Sequence, residues 1–223
     1  MMNGSMGWPR GSSVRQEVDL DTGGKRPWWY YPDKPSRFDD DFMGPNLDPK
    51  WTIARNAHVS GGTCDIYTDG MFRVRGGTVG ILQPMPSGAF NVSCRVIGTG
   101  GPYSSGSAAG VILSTAADGT GYQYSNLGSG ANHVNYWTNN NRWTSWGYAG
   151  DSTYIGNTNY PEFFRTYYDG AGNQTNYYSY NGLGWISYST SHTGTSPAYI
   201  GVVAQAYTAT DWAIVDSFRV EQL

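Results

Sequence analysis

Turn dipeptides between short strand-like segments are the feature of this sequence that most restricts its fold. Asp69-Gly70, Gly76-Gly77, Asp169-Gly170 and Asn181-Gly182 each separate two short segments rich in aromatic and β-branched residues. Such pairs favour tight hairpin turns, because they adopt positive φ at low cost. No segment has the period of a long amphipathic helix. The pattern predicts an all-β fold, a two-sheet antiparallel β-sandwich of the jelly-roll kind.

The predicted strands are short, and the clearest covers 89–97, where apolar and polar residues alternate. The predicted strands cover 37–42, 64–68, 71–75, 79–84, 89–97, 108–114, 121–125, 133–138, 163–168, 175–180, 185–189, 199–205 and 212–221. The full chain of 223 residues suits one sandwich with its own core.

The first 35 residues differ from the rest in composition, being rich in Gly, Ser, Pro and mixed charge without alternation. We therefore predict an extended N-terminal arm over 1–35 and a jelly-roll domain over 36–223. Trp28, Trp29, Tyr30 and Tyr31 end the arm, and four adjacent aromatic residues are costly to expose to water. They either anchor the arm on a neighbouring protein or cover one end of the chain's own sandwich.

The charge and hydropathy of the chain argue against several classes of partner. Net charge is −3 and only 14% of residues are charged, with no basic cluster, so nucleic acid is not an expected ligand. No stretch reaches membrane-spanning length, and the first residues, MMNGSMGWP, lack the apolar run of a signal peptide. A protein released by lysis, such as a virion component, would need no such signal.

Six short motifs resemble, in order and spacing, the concanavalin A-like lectin/glucanase superfamily in its laminin-G-like branch. They are FDDDF at 38–42 followed by LDPKW at 47–51, AGVIL at 109–113, YYSYNG at 177–182 followed by Trp185, and IGV at 200–202 followed by AIVDSFRV at 213–220. The resemblance implies a jelly roll whose first and last strands lie side by side, with Trp51 and Trp185 buried. Members include lectins, glycosidases and structural modules, so the fold alone does not decide the function.

The carboxylates of the chain argue against glycoside hydrolysis, which requires two of them facing one another. The three glutamates, Glu17, Glu162 and Glu221, are far apart in sequence, and no E-x-D-x-x-E motif is present. The three histidines are isolated and no G-x-S-x-G motif occurs. We predict no catalytic residues.

The potential metal ligands of the chain are few. Asp39 and Asp41 lie on one face of the predicted first strand and leave calcium open as a ligand, but they do not form a full ligand set. The prediction is no cofactor and no metal site. Cys64 and Cys94 are the only cysteines, and two buried thiols are favoured over a disulfide.

Residues 137–160 form the best candidate carbohydrate-binding surface, because aromatic rings that can stack on a sugar alternate there with polar side chains. The alternative is that these aromatics pack over one sheet. The candidate residues are Trp137, Asn139, Trp143, Trp146, Tyr148, Asp151 and Tyr154.

Taken together, the sequence favours a non-enzymatic virion structural, decoration or fibre-type protein. It would dock to other virion proteins through residues 1–35, be oligomeric in that assembly, and reside in the extracellular particle, with a cytoplasmic location as the alternative. The alternative function is a lectin-like module that recognises a host surface glycan. A glycoside hydrolase is the least favoured of the three.

Overall fold

Fourteen strands and no helix form among the residues that the computed structural model describes: 36–58, 65–68, 70–99, 107–118, 122–129, 133–139, 152–154, 161–192, 196–206, 208 and 210–223. The strands are β1 (Thr52–His58), β2 (Asp65–Thr68), β3 (Phe72–Arg75), β4 (Gly77–Pro84), β5 (Phe90–Thr99), β6 (Ala108–Ser114), β7 (Gln123–Ser129), β8 (His133–Asn139), β9 (Ser152–Tyr154), β10 (Phe163–Tyr168), β11 (Asn173–Ser179), β12 (Ile186–His192), β13 (Tyr199–Gln205) and β14 (Trp212–Gln222). The described ranges accordingly hold no helix with the length and hydropathy of a membrane span.

The strands form two seven-stranded sheets. Sheet 1 has the order β1-β4-β13-β6-β7-β8-β9, and sheet 2 has the order β12-β11-β10-β5-β14-β3-β2. Neighbouring strands pair antiparallel throughout both sheets. Neighbours in a sheet are often distant in sequence, as β5 and β14 are, because the chain passes back and forth between the sheets. The predicted two-sheet jelly-roll sandwich is confirmed.

The main core lies between the two sheets and follows from side-chain alternation. Phe90, Val92 and Cys94 of β5 point inward with no exposed surface. The sheets approach so closely at Gly128 that an added Cβ would lie 2.4 Å from the ring of Phe164. Burial raises the pKa of the Cys94 thiol, which is free, so the prediction of a buried thiol is confirmed there. Cys64 lies outside the described residues.

A second apolar cluster occupies the other face of sheet 1. Its largest buried residues are Leu82, Ile112, Leu127 and Val203, and none of these four is more than 1% exposed. These strands are therefore apolar on both faces, which explains why their segments are near-continuous aliphatic runs rather than clean alternations.

The segment before β1 differs from its prediction. Residues 37–42 form no strand; a single bridge joins Asp40 to Phe218 of β14. Phe42 has φ of 54°, which ends any extended run, and its backbone oxygen accepts a hydrogen bond from Gly70. The opening segment nevertheless lies beside the last strand, as the resemblance implies.

Two further predictions along the chain were wrong or incomplete. Gly76-Gly77 does not close a hairpin, because β3 lies in sheet 2 and β4 in sheet 1; Gly76, with φ of 69°, turns the chain between the sheets. Strands β1 and β9 were not predicted. The division of the chain at residue 36 stays a prediction.

Candidate functional site

The sequence-predicted sugar-binding residues fall only partly within the described structure. Trp137 and Asn139 lie in β8, where they pair with Ser125 and Gln123 of β7, and Tyr154 lies in β9. The structure thus places three of the seven predicted sugar-binding residues on adjacent strands at one edge of sheet 1. The remaining predicted residues lie outside the described residues: Trp143, Trp146, Tyr148, Asp151 and the anchor set Trp28, Trp29, Tyr30 and Tyr31.

The acidic run considered for calcium is engaged with protein donors. Asp39 accepts hydrogen bonds from the backbone of Val220 and from Ser36, and Asp41 pairs with Arg219. Asp40 accepts from the backbone of Phe42 and from the Trp51 indole. Across the described ranges, no group of three or more acidic, His or Cys side chains is placed to hold a metal ion.

Two carboxylates that are far apart in sequence meet at one buried arginine on the outer face of sheet 2. Arg95 has no exposed surface, and its guanidinium lies 2.7 Å from Glu162 and 3.2 Å from Asp216. Asp216 reaches it because β14 carries a bulge between Val215 and Ser217, which places an extra residue on this face. Sequence reasoning missed the pair because a bulge is not visible in the alternation.

The cluster places two carboxylates around one guanidinium. Burial lowers the pKa of the Arg95 guanidinium, while both carboxylates oppose that shift. A catalytic carboxylate pair must act on a substrate between its members, whereas this pair is bonded to a guanidinium. We assign the cluster a structural role in fixing β5, β10 and the β14 bulge. The absence of enzymatic activity stays a prediction.

A different cluster on the same outer face has unused hydrogen-bonding groups. Arg165 and Tyr167 project from β10, and Tyr177 pairs with Arg165 from β11. The guanidinium carbon of Arg165 lies 4.0 Å from the centre of the Trp185 ring, a cation–π contact. All four side chains are partly exposed. We call Arg165, Tyr167, Tyr177 and Trp185 the Arg165 platform.

The platform is held from inside the sandwich by a side chain of the opposite sheet. Asn126 of β7 is 1% exposed, and its Nδ2 donates to the backbone oxygens of Arg165 at 2.7 Å and Tyr177 at 3.1 Å. Its Oδ1 accepts from the Tyr188 hydroxyl of β12 at 2.7 Å. The side-chain amide of Asn126 therefore links β10, β11 and β12 at the level of Arg165 and Tyr177.

The two predicted hairpins of sheet 2 fix the ends of these strands. In the β10–β11 turn, the Asp169 carboxylate accepts from the side chain of Asn173 and from the backbone of Ala171 and Asn173. These hydrogen bonds hold the pKa of Asp169 below its ordinary value. In the β11–β12 turn, Asn181 Oδ1 accepts from Leu183 and Gly184. Both predicted turns are confirmed.

The β11–β12 hairpin extends the platform with apolar surface. Tyr180, Leu183 and Ile186 are 41%, 60% and 46% exposed. Trp185, which the resemblance implied is buried, is also partly exposed, unlike Trp51 at 7%. The difference arises because Trp185 lies over the outer face of sheet 2, whereas Trp51 packs against Phe218 in the core with ring centres 5.2 Å apart.

Comparisons with known proteins give structural matches only. No protein-family model matches the chain, and no curated protein does. The calcium-bound exoplasmic/lumenal domain of VIP36 is 13% identical, with a TM-score of 0.54 over 83% of this chain and 90% of that domain. VIP36 is also solved with calcium and Man2 bound.

Two carbohydrate-active enzymes are similar as well. A bifunctional GH43-CE protein of Bacteroides eggerthii is 16% identical with a TM-score of 0.58, over 83% of this chain and 26% of that one. The xylan β-1,4-xylosidase of Bacillus halodurans C-125 is 13% identical with a TM-score of 0.51, over 86% and 41%. The chain thus spans well under half the length of either hydrolase. At these identities the likeness shows the fold alone: the chain has a two-sheet jelly-roll sandwich similar to theirs.

Proposed function

We propose that this protein is a carbohydrate-binding, lectin-like module and that its sugar binds on the Arg165 platform. The observation that carries the proposal is the platform itself: partly exposed rings beside hydrogen-bonding groups that the described structure leaves unused. Neither the Tyr167 nor the Tyr177 hydroxyl bonds to another described residue. The glycan-bound forms of VIP36 add support, since a similar sandwich carries a sugar there.

The chemistry of the platform matches the two faces of a sugar. A pyranose offers C–H groups to an aromatic ring and hydroxyl groups to polar partners, and amphipathic rings serve both. Tyr167 and Tyr177 are diagonal neighbours on adjacent strands, so their Cα atoms are separated by roughly 7–8 Å. Arg165, Tyr167 and Tyr177 lie in strands β10 and β11, which hold side chains more rigidly than loops do, and Trp185 directly precedes β12.

The edge of sheet 1 that holds Trp137 is the competing location predicted from the sequence. A glycan array on the full chain, followed by calorimetric titration of the best ligand, decides between them. We expect Tyr177→Ala and Trp185→Ala to weaken binding about fivefold or more, since each aromatic contact contributes on the order of 1 kcal/mol. Tyr122→Ala, which removes a 44% exposed tyrosine before β7, is the matched control and should bind normally.

Thermal melts of each variant separate lost contacts from lost folding. If Trp137→Ala abolishes binding while the platform variants keep it, the site is on sheet 1 and the platform assignment is wrong. If the wild-type chain binds no glycan, the proposed function itself fails. Reducing-sugar release from the bound glycan would contradict a purely binding role.

The virion role stays a prediction from the composition of residues 1–35. Its experiment is deletion of those residues, which should leave the melting transition of the sandwich intact and abolish incorporation into a particle. Unchanged incorporation would remove the anchor hypothesis. A virion location and a glycan-binding module are compatible, because a particle can display such a module.

A further inference from the structure

Three arginines share the outer face of the central strands of sheet 2, and two of them have counterions. Arg95 is bonded to Glu162 and Asp216. Arg219 pairs with Asp41 and donates to the backbone oxygen of Asp40. This face therefore accommodates a carboxylate beside an arginine, and where it does so the arginine is more than 90% buried.

Arg165, the third arginine, has no such partner. Within the described part of the chain, no carboxylate lies within 4.0 Å of its guanidinium, and its Nε is buried without a hydrogen-bond acceptor. Glu221 acts on it only at longer range, and Glu221 Oε2 accepts from Asn91 instead. Burial lowers the pKa of the Arg165 guanidinium, which fits a cation that has lost water without gaining a counterion.

The Trp185 ring offsets part of this loss through its π face, but it accepts no N–H hydrogen bond in the plane of the guanidinium. A guanidinium presents five donors in a planar fork that matches the oxygens of a carboxylate, and sulfate oxygens suit it as well. An anionic ligand arriving at Arg165 would gain charge-assisted hydrogen bonds without displacing an existing ion pair.

We infer that the glycan recognised by the Arg165 platform carries an anionic group, a carboxylate as in a uronic acid or a sulfate ester, and that Arg165 binds that group. The inference rests on the proposed function and specifies its ligand class. Tyr167 and Tyr177 would contact the sugar ring on either side of the anion. The ligand is then selected by charge at Arg165 and by ring shape at the tyrosines.

The test compares an oligogalacturonate with its methyl ester, which has the same rings without the charge, and adds a sulfated oligosaccharide of similar length. Calorimetric titration on the full wild-type chain should give an acid form that binds about tenfold more tightly than the ester, because a charge-assisted hydrogen bond is lost in the ester. The preference should weaken as salt rises. Tight binding of the sulfated ligand alone would identify sulfate as the anion.

Variants place the effect at one residue. Arg165→Met should remove the preference for the acid, so that acid and ester bind with the same affinity whatever that affinity is. Arg165→Lys should retain part of the preference, because the charge stays but the fork is lost. Arg75→Met is the matched control: it removes a second arginine stacked on a tryptophan, 5.4 Å from the ring of Trp212, on the same sheet.

The binding results distinguish failure of the anion inference from failure of the proposed function. Equal affinity for acid, ester and sulfated ligands in the wild type overturns the anion inference and leaves the proposed function standing. Absence of binding to any of them and to a glycan array overturns both. If Arg165→Met fails to fold, the acid-to-ester comparison on the wild type and on Arg165→Lys still decides.

Discussion

Asn126 should be the polar side chain on which the geometry of the platform depends most. It is buried between the sheets, and its two donated hydrogen bonds end on the backbone of Arg165 and Tyr177. Its side-chain oxygen accepts a hydrogen bond from the Tyr188 hydroxyl, so both the nitrogen and the oxygen of the amide are hydrogen-bonded. Asn126→Leu keeps nearly the same volume and removes all three hydrogen bonds, which makes it the informative substitution.

The expected loss of stability in Asn126→Leu follows from the three hydrogen bonds that the substitution removes. A net contribution of about 1 kcal/mol for each of three hydrogen bonds gives roughly 3 kcal/mol, and the apolar surface of Leu returns a fraction of this. We expect the free energy of unfolding to fall by about 2–3 kcal/mol. Tyr188→Phe removes one of the three bonds and should cost about 1 kcal/mol.

Urea denaturation of both single variants and the double variant measures the free energies of unfolding and the coupling between Asn126 and Tyr188. Because both single variants lose the same Tyr188–Asn126 bond, the double variant should be about 1 kcal/mol more stable than the sum of the single effects predicts. Glycan affinity should fall in Asn126→Leu although Asn126 touches no ligand. A cost below about 0.5 kcal/mol, or strict additivity, would refute the link between the sheets.

Three further predictions concern the rest of the fold. Trp51→Ala should cost about 4 kcal/mol in chemical denaturation, as expected for a buried tryptophan; a cost near that of a surface change would contradict its core position. Asp216→Asn should cost about 2 kcal/mol, because buried Arg95 loses one of its charged acceptors; an unchanged urea midpoint would argue against the contact. Asp169→Ala should lower stability at neutral pH, and the gap to wild type should narrow as pH falls through the native pKa of Asp169, below the ordinary 3.8. The sign follows because a depressed carboxylate pKa stabilises the native state only while the group is ionised. A stability difference between wild type and Asp169→Ala that widened in acid would contradict this prediction.

Much of the fold could be predicted because alternation and turn chemistry are local properties. Three strands, β6, β10 and β13, have the predicted bounds, and both hairpins around β11 lie at their turn dipeptides. Sheet membership is not local: Gly76-Gly77 has the composition of a hairpin turn, yet the flanking strands belong to different sheets. The turn residues specify a reversal of the chain but not the partner of the next strand.

The platform was harder to predict than the strands that carry it. Along β10, Phe164 and Tyr168 face the core while Tyr167 faces outward, so aromatic residues occupy both faces. Alternation shows that the two sets lie on opposite faces, but it does not say which face is outside. Arg165 was the usable signal, since an arginine on one face of an aromatic strand marks that face as the outer one.

The distribution of carboxylates explains why Arg165 is left without a counterion. The partners of Arg95 come from irregular positions, the residue before β10 and the bulge of β14, and the partner of Arg219 comes from the segment before β1. Arg165 lies in mid-strand, where its neighbours across the ladder are Ser93 and Tyr177. Neither neighbour is acidic, although opposite-charge pairs stabilise a sheet at such cross-strand positions, so sheet geometry does not impose the missing charge. A half-buried cation with no described counterion is the kind of local inconsistency that accompanies ligand binding.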